Sequence, residues 1–379
     1  MSTPFFSDKP VNAEDLESWP ASPDRESTGS GPSAYKNWLG ALSSQPLRSM
    51  TLTTFPLESF GPVNIGGVIL YKQDPAPFVT GNLWVGKAYL TDDTFPPSKW
   101  YNASTGVSEH SRIQDALNNA AMYNSGPQIF DMNQRSLGDC GFVSSFGAIA
   151  LHPEAHNILF SSIYPPVYNG TGVYSVRFII DGECRYMLID DDLPGAGYST
   201  TNTNVFWYFL IEKACAKLSR GYQHLGGGFE TYMGITSSAN TSISSSNMDS
   251  VWSNYILDIF QKKQHTTYQG TGHPQYLVGG HAYAVIDAAE WNGIRLMRLH
   301  NPWNFVKYNG PYSPGAPDWR NIPPEIQDSV FQISRFNNTS FWMPYGLYVQ
   351  DIPKISDMAI AQNLPESLKS IANPGPIQG

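Results

Sequence analysis

The sequence predicts an α+β protein of two lobes, and three observations carry that expectation. Residues 126–235 read as helix-led, with Gln134 and Cys140 among them. Residues 248–352 read as strand-led, with His281 and Asn301 among them. Between the two lies TSSANTSISSSN, residues 236–247, with one large apolar side chain in twelve. A polar stretch of that composition marks a domain boundary, and two unlike halves joined by it leave a cleft between a helical first lobe and a β-rich second lobe. The chain has 379 residues, enough for more than one structural unit. With 33 Gly, 29 Pro and only 15% charged residues it is no helical bundle or coiled coil.

The elements follow in order. Residues 1–35 hold too few large apolar groups to offset their ordering entropy and are expected to be disordered. Residues 36–125 form an N-terminal extension leading into the first lobe, where short apolar pieces alternate with Pro and Gly breaks. A helix is predicted over Cys140–Leu151, with Phe142, Val143, Phe146, Ile149 and Ala150 at helical spacing and Pro153 beyond its end. Val173–Ile180 is a strand, Asp181-Gly182 a hairpin turn, and Arg185–Asp190 the return strand. Trp207–Leu218 is a helix on which Phe209, Leu210 and Ala214 face inward and Lys213 and Lys217 mark a wet face. In the second lobe His281–Ile286 and Ile294–Leu299 flank an Asn292-Gly293 turn, Phe341–Gln350 is a further strand, and 353–379 a Pro-containing C-terminal tail.

Composition excludes several classes of function. A net charge of −9 without a basic stripe is the wrong electrostatic footprint for nucleic acid. Three cysteines without a CxxC pair support neither a disulfide framework nor a structural zinc knuckle. The acidic start has no apolar signal core, and no apolar run approaches the ~20 residues of a membrane span. The expectation is a soluble cytoplasmic protein.

Cys140 is placed where Leu137-Gly138-Asp139 turns into the first helix. A sulfur at a helix start lies near unsatisfied N–H groups, which favour the thiolate. Taken alone, this reading weighs equally with that of a small buried hydrophobe. His281 tips the balance. It follows Gly279-Gly280 and opens a strand, and Asn301 ends the return strand directly before Pro302. With a two-residue Asn292-Gly293 turn, His281 would face residue 304 and Asn301 would point to the opposite side. A three-residue loop Trp291-Asn292-Gly293, with Gly293 left-handed, would set His281 opposite Trp303 and bring Asn301 to the same side. The expectation is therefore the three-residue loop. The Asn301 oxygen would then hold one imidazole nitrogen and leave the other for Cys140. Gln134, six residues before Cys140, could give an N–H to an oxyanion beside the Cys140 backbone N–H, and Trp303 could shield the Asn–His bond. Each of His281, Gln134 and Trp303, taken alone, reads better as an ordinary edge, loop or core residue.

Together these residues are recognisable. Asn133-Gln134-Arg135-Ser136-Leu137-Gly138-Asp139-Cys140 resembles the calpain signature around its nucleophile. Gly279-Gly280-His281-Ala282-Tyr283 and Asn301-Pro302-Trp303 resemble the segments that carry the calpain His and Asn. Asp190-Asp191-Asp192-Leu193-Pro194, Phe206-Trp207 and Phe341-Trp342-Met343 add to the likeness, which runs from about Leu90 to Gln350. The resemblance implies a papain-like two-lobed cysteine protease that hydrolyses protein substrates, with Cys140 as nucleophile, His281 as base and acid, Asn301 orienting His281, Gln134 in the oxyanion hole and Trp303 in support. It also implies Ca²⁺ control, with Asp131 and Glu230 matching acidic ligand positions in the first lobe. In the second lobe Asn338-Thr339-Ser340 replaces the family's acidic residues, so that ion site is expected to be weak or absent. Gly141 stands where calpains have Trp, and the C-terminal modules of conventional calpains are not expected within these 379 residues. The expectation is a core-only, atypical member with weakened calcium dependence, or a fragment of something longer. A calpain-fold binding protein that no longer cleaves is the alternative. An acyltransferase of the transglutaminase kind is disfavoured, since its third residue is typically Asp and not Asn.

Overall fold

The computed structural model describes residues 48–359 except 87, 102–108, 118–119, 124–127, 135–136, 152–158, 160–161, 167, 169, 195–203, 227–238, 245–247, 254–264, 271–275, 336–338 and 352–353. Residues 1–35, expected to lack order, and Glu230 lie outside the described residues. The architecture mixes helix and strand. Its first part holds strands β1 (Pro62–Ile65) and β2 (Val68–Tyr71) and helix α1 (Ala76–Gly86), then helix α2 (Cys140–Leu151), strands β3 (Ile163–Tyr164), β4 (Val173–Ile180) and β5 (Glu183–Asp190), and helix α3 (Trp207–Leu218). The five strands form one sheet in the order β1-β2-β5-β4-β3. The unassigned extension is thereby explained: Tyr71 of β2 pairs with Tyr186 of β5, so the extension completes the first sheet. The β4–β5 hairpin turns on Asp181 (φ 54°) and Gly182 (φ 75°), a left-handed pair that Asp and Gly adopt readily.

Helix α3 departs from its expected pattern. Every residue from Trp207 to Lys217 is buried. The anticipated wet face is covered by the strands and loops packed on it, and its two lysines are matched by acids: Lys213 Nζ donates to Asp190 and Lys217 Nζ to Asp92 Oδ2 at 2.7 Å. Buried ammonium groups persist only with such partners.

The second part is a six-stranded sheet of β6 (Ala239–Ser244), β7 (His265–Gly270), β8 (His281–Trp291), β9 (Ile294–His300), β10 (Ser340–Pro344) and, after helix α4 (Tyr345–Asp351), β11 (Lys354–Ala359), in the order β6-β11-β7-β8-β9-β10. Three expectations change here. Residues 239–244, read as linker, form an edge strand paired with β11, which was read as tail. An edge strand tolerates the polar, Thr- and Ser-containing composition that made this stretch resemble a linker. The strand expected over Phe341–Gln350 ends at Pro344, whose missing N–H suits the start of a helix, and Tyr345 and Tyr348 then face one core at helical spacing.

The third change concerns register. Asn292 (φ 47°) and Gly293 (φ 79°) make a two-residue turn, and Trp291 pairs with Ile294. The pairing holds to Asp287–Arg298, then shifts so that Val285 pairs with Leu299 and Ala284 with His300. The extra residue is Ile286, a β-bulge within the strand. The three-residue loop is thus overturned: Asn and Gly adopt left-handed φ, and the tight turn matches the twist of the strands. The bulge restores the register that the loop was invoked to supply.

Candidate active site

Two contacts bring the halves together. Helix α2 packs on β8 through Ala148 against Ala284, with Ile129 completing the cluster, and Ser144 Oγ donates to the Ala282 carbonyl at 3.0 Å. The turn Ile129–Asp131 lies so close to α2 that a Cβ on Gly147 would meet Ile129 Cγ1 at 3.0 Å. The chain after that turn bonds to the second half: the Met132 carbonyl accepts from Asn304 Nδ2 at 2.7 Å, and the Gln134 N–H donates to the Pro302 carbonyl at 2.9 Å.

Cys140 is the first residue of α2, whose opening turn closes with Val143 N–H on the Asp139 carbonyl at 3.0 Å. Its thiol interacts with the backbone of Ala282, the residue after His281. Burial pushes the Cys140 thiol up. The backbone groups of Ala282 and Gly141 oppose the rise, and the Asp139 carboxyl adds to it. The expected depression of this pKa is therefore not what the site produces, because lost solvation outweighs the donors at the helix start.

His281 Nε2 and Asn301 Oδ1 are 2.9 Å apart. Asn301 is wholly buried, and its amide orientation is set from both sides. Nδ2 donates to the Phe305 carbonyl at 2.9 Å, and Oδ1 also accepts from the Trp303 N–H at 3.1 Å. With Oδ1 facing the ring, Nε2 carries the proton and Nδ1 keeps its lone pair. Trp303 stacks on the imidazole with centroids 4.1 Å apart and planes 29° from parallel. Burial lowers the His281 pKa, the hydrogen bond it donates to Asn301 opposes the fall, and Lys307 adds to it. A raised thiol and a lowered imidazole favour the uncharged Cys–His pair. Gln134 is buried, and its Oε1 has no hydrogen-bond partner among the described residues.

The calpain family cysteine protease model matches residues 90–356, most of the chain. This chain belongs to the calpain family. Its core therefore has the papain-like fold. Among curated relatives, it is 29% identical over 283 residues to the calpain-type cysteine protease DEK1 of Arabidopsis thaliana, covering 68% of this chain and 13% of that protein. It is 28% identical over 273 residues to calpain-7 of Mus musculus, covering 64% and 33%. It is 27% identical over 310 residues to calpain-9 of Homo sapiens, covering 74% and 44%. The match thus spans less than half of these relatives' length.

Asp131 Oδ2 accepts from Trp207 Nε1 at 2.7 Å and from the Gln128 N–H at 2.9 Å, so this carboxylate already serves the packing of α3. Among the described residues no group of three His, Cys, Asp or Glu side chains is placed to hold a metal ion, whereas Ca²⁺ takes 6–8 oxygen ligands. No helix among the described residues is long and apolar enough to cross a membrane.

Asp139 was legible only as a motif letter. It is wholly buried, and burial raises its pKa. Lys307 was missed because it lies outside the short motifs that marked the other site residues.

Proposed function

We propose that this chain is a cysteine endopeptidase whose Cys140, His281 and Asn301 act as a triad in the cleft between a helical and a β-rich lobe. The observation that carries the reading is the 2.9 Å His281–Asn301 bond beneath Trp303, with the Cys140 thiol against the backbone of the residue next to His281. Starting from the uncharged pair, Sγ attacks the peptide carbonyl carbon while Nδ1 of His281 takes the thiol proton. The oxyanion accepts hydrogen bonds from the Cys140 N–H and the Gln134 side-chain amide. Collapse expels the amine, which leaves with the proton from His281, and a thioester remains. Water then attacks, giving its proton to Nδ1, and the thiol regains it as the acid product leaves. Asn301 holds the ring throughout. No step passes through a metal.

Labelling purified protein with an epoxysuccinyl thiol inhibitor, with Ca²⁺ or with chelator, tests the proposal by intact mass and peptide mapping. The expected result is an adduct on Cys140 together with peptidase activity abolished by Cys140→Ala. Labelling that requires Ca²⁺ would identify an ion-switched enzyme; equal labelling in chelator would identify a preassembled one. Gly141 and the raised thiol pKa favour one alternative, a calpain-fold protein that binds without cleaving, and no adduct and no cleavage in either condition would select it.

A further inference from the structure

The stretch after Asn301 is built to present one face. Beyond a turn at Asn304 (φ 55°), whose N–H donates to the Asn301 carbonyl at 2.9 Å, Phe305 and Lys307 alternate with Val306 and Tyr308, which pack into the core of the second sheet. The alternation is that of an extended segment, and it is held by the Asn301 amide on the Phe305 carbonyl and the Asn304 amide on the Met132 carbonyl. Trp303 stacks on His281, and Phe305 stacks on Trp303 with centroids 5.7 Å apart and planes 18° from parallel. Phe305 is nevertheless 47% exposed, the most open large apolar side chain among the described residues. Lys307 Nζ stands 5.2 Å from the Trp303 ring centroid, and among the described residues it forms no ion pair. It is a cation beside the imidazole in a chain of net charge −9.

The chemistry says what passes over this face. The leaving nitrogen must sit at the free nitrogen of His281 to receive its proton, so the residues that follow the cleaved bond run out past whatever covers the ring. That cover is Trp303, then Phe305. The centroid steps of 4.1 and 5.7 Å correspond to about three residues of extended peptide at ~3.3 Å each. We infer that Trp303, Phe305 and Lys307 form a leaving-side recognition ledge that selects protein segments with an apolar and an acidic residue among the three that follow the cleaved bond. The inference rests on the protease reading above. The stacked rings accept an apolar side chain, and the ammonium pairs with a carboxylate in solvent.

Quenched-fluorescent peptides carrying Asp or Lys, and Phe or Ser, in those three positions test it, with kcat/KM compared as ratios within one enzyme preparation. The parent enzyme is expected to favour Asp over Lys by about two- to fivefold, an advantage that shrinks with added salt. Lys307→Glu should reverse that ratio, and Phe305→Ala should lower the Phe-over-Ser ratio by about tenfold. If the parent cleaves all the peptides and neither variant changes its ratio, the ledge is refuted while the protease reading stands. If no peptide is cleaved and Cys140 takes no epoxysuccinyl adduct, the protease reading fails and the ledge fails with it.

Discussion

Replacing Asn301 by Ala tests the centre of the site. The side chain makes three hydrogen bonds, to His281, the Trp303 N–H and the Phe305 carbonyl, in a wholly buried position. The bond to His281 matters most when the ring gains charge in the transition state, and a buried hydrogen bond to a charged group contributes ~1.5–3 kcal/mol. At 1.36 kcal/mol per factor of ten, kcat/KM should fall by about 10- to 150-fold, with the loss in kcat. A pH profile separates positioning from simple unfolding. Protonated His281 has no lone pair for the thiol proton, so the acid limb reports its pKa. The Asn301 hydrogen bond raises that pKa against burial and Lys307, so in Asn301→Ala the acid limb should move to lower pH. In Asn301→Asp a carboxylate faces the ring, and the limb should move to higher pH. Thermal unfolding of each variant checks that folded protein is compared. Activity within about twofold of the parent, or an acid limb fixed in both variants, would refute the reasoning.

Two further expectations concern the frame. Burial pushes Asp74 up to about 6, against hydrogen bonds from the Ser175 hydroxyl and the Ala76 N–H. The folded pKa lies above the unfolded one, so its contribution to stability is full below about pH 4 and is lost as pH rises through about 6, a change on the order of 3 kcal/mol. Asp74→Asn should flatten the urea midpoint between those pH values, and parallel slopes in parent and variant would contradict this. Deleting Ile286 removes the bulge yet leaves Val285 paired with Leu299, so His281 stays opposite Trp303. The variant should keep its circular dichroism and its epoxysuccinyl labelling of Cys140; lost labelling would show that the pairing does not follow from this register.

Much of the molecule was legible because it is local. Helix Cys140–Leu151, strand Val173–Ile180, the Asp181-Gly182 turn and helix Trp207–Leu218 follow from apolar period and left-handed turn residues within a few positions of one another. The residues Gln134, Cys140, His281, Asn301 and Trp303 were legible because spacing within short motifs survives in a linear text. What lay beyond reach depends on what comes to rest against each group. Nothing in the spacing of Lys213 and Lys217 says that Asp190 and Asp92 will cover them, or that residues 62–71 will complete a sheet with a strand more than a hundred positions away. The bulge at Ile286 lies six positions before the Asn292-Gly293 turn, in a strand whose alternation carries no sign of it. The sequence by itself determined the helices Cys140–Leu151 and Trp207–Leu218, the Asp181-Gly182 turn and the residue types at the candidate site. The tertiary structure alone decided their register, their partners and the sign of the Cys140 shift, because solvation is lost through contacts made across the whole fold.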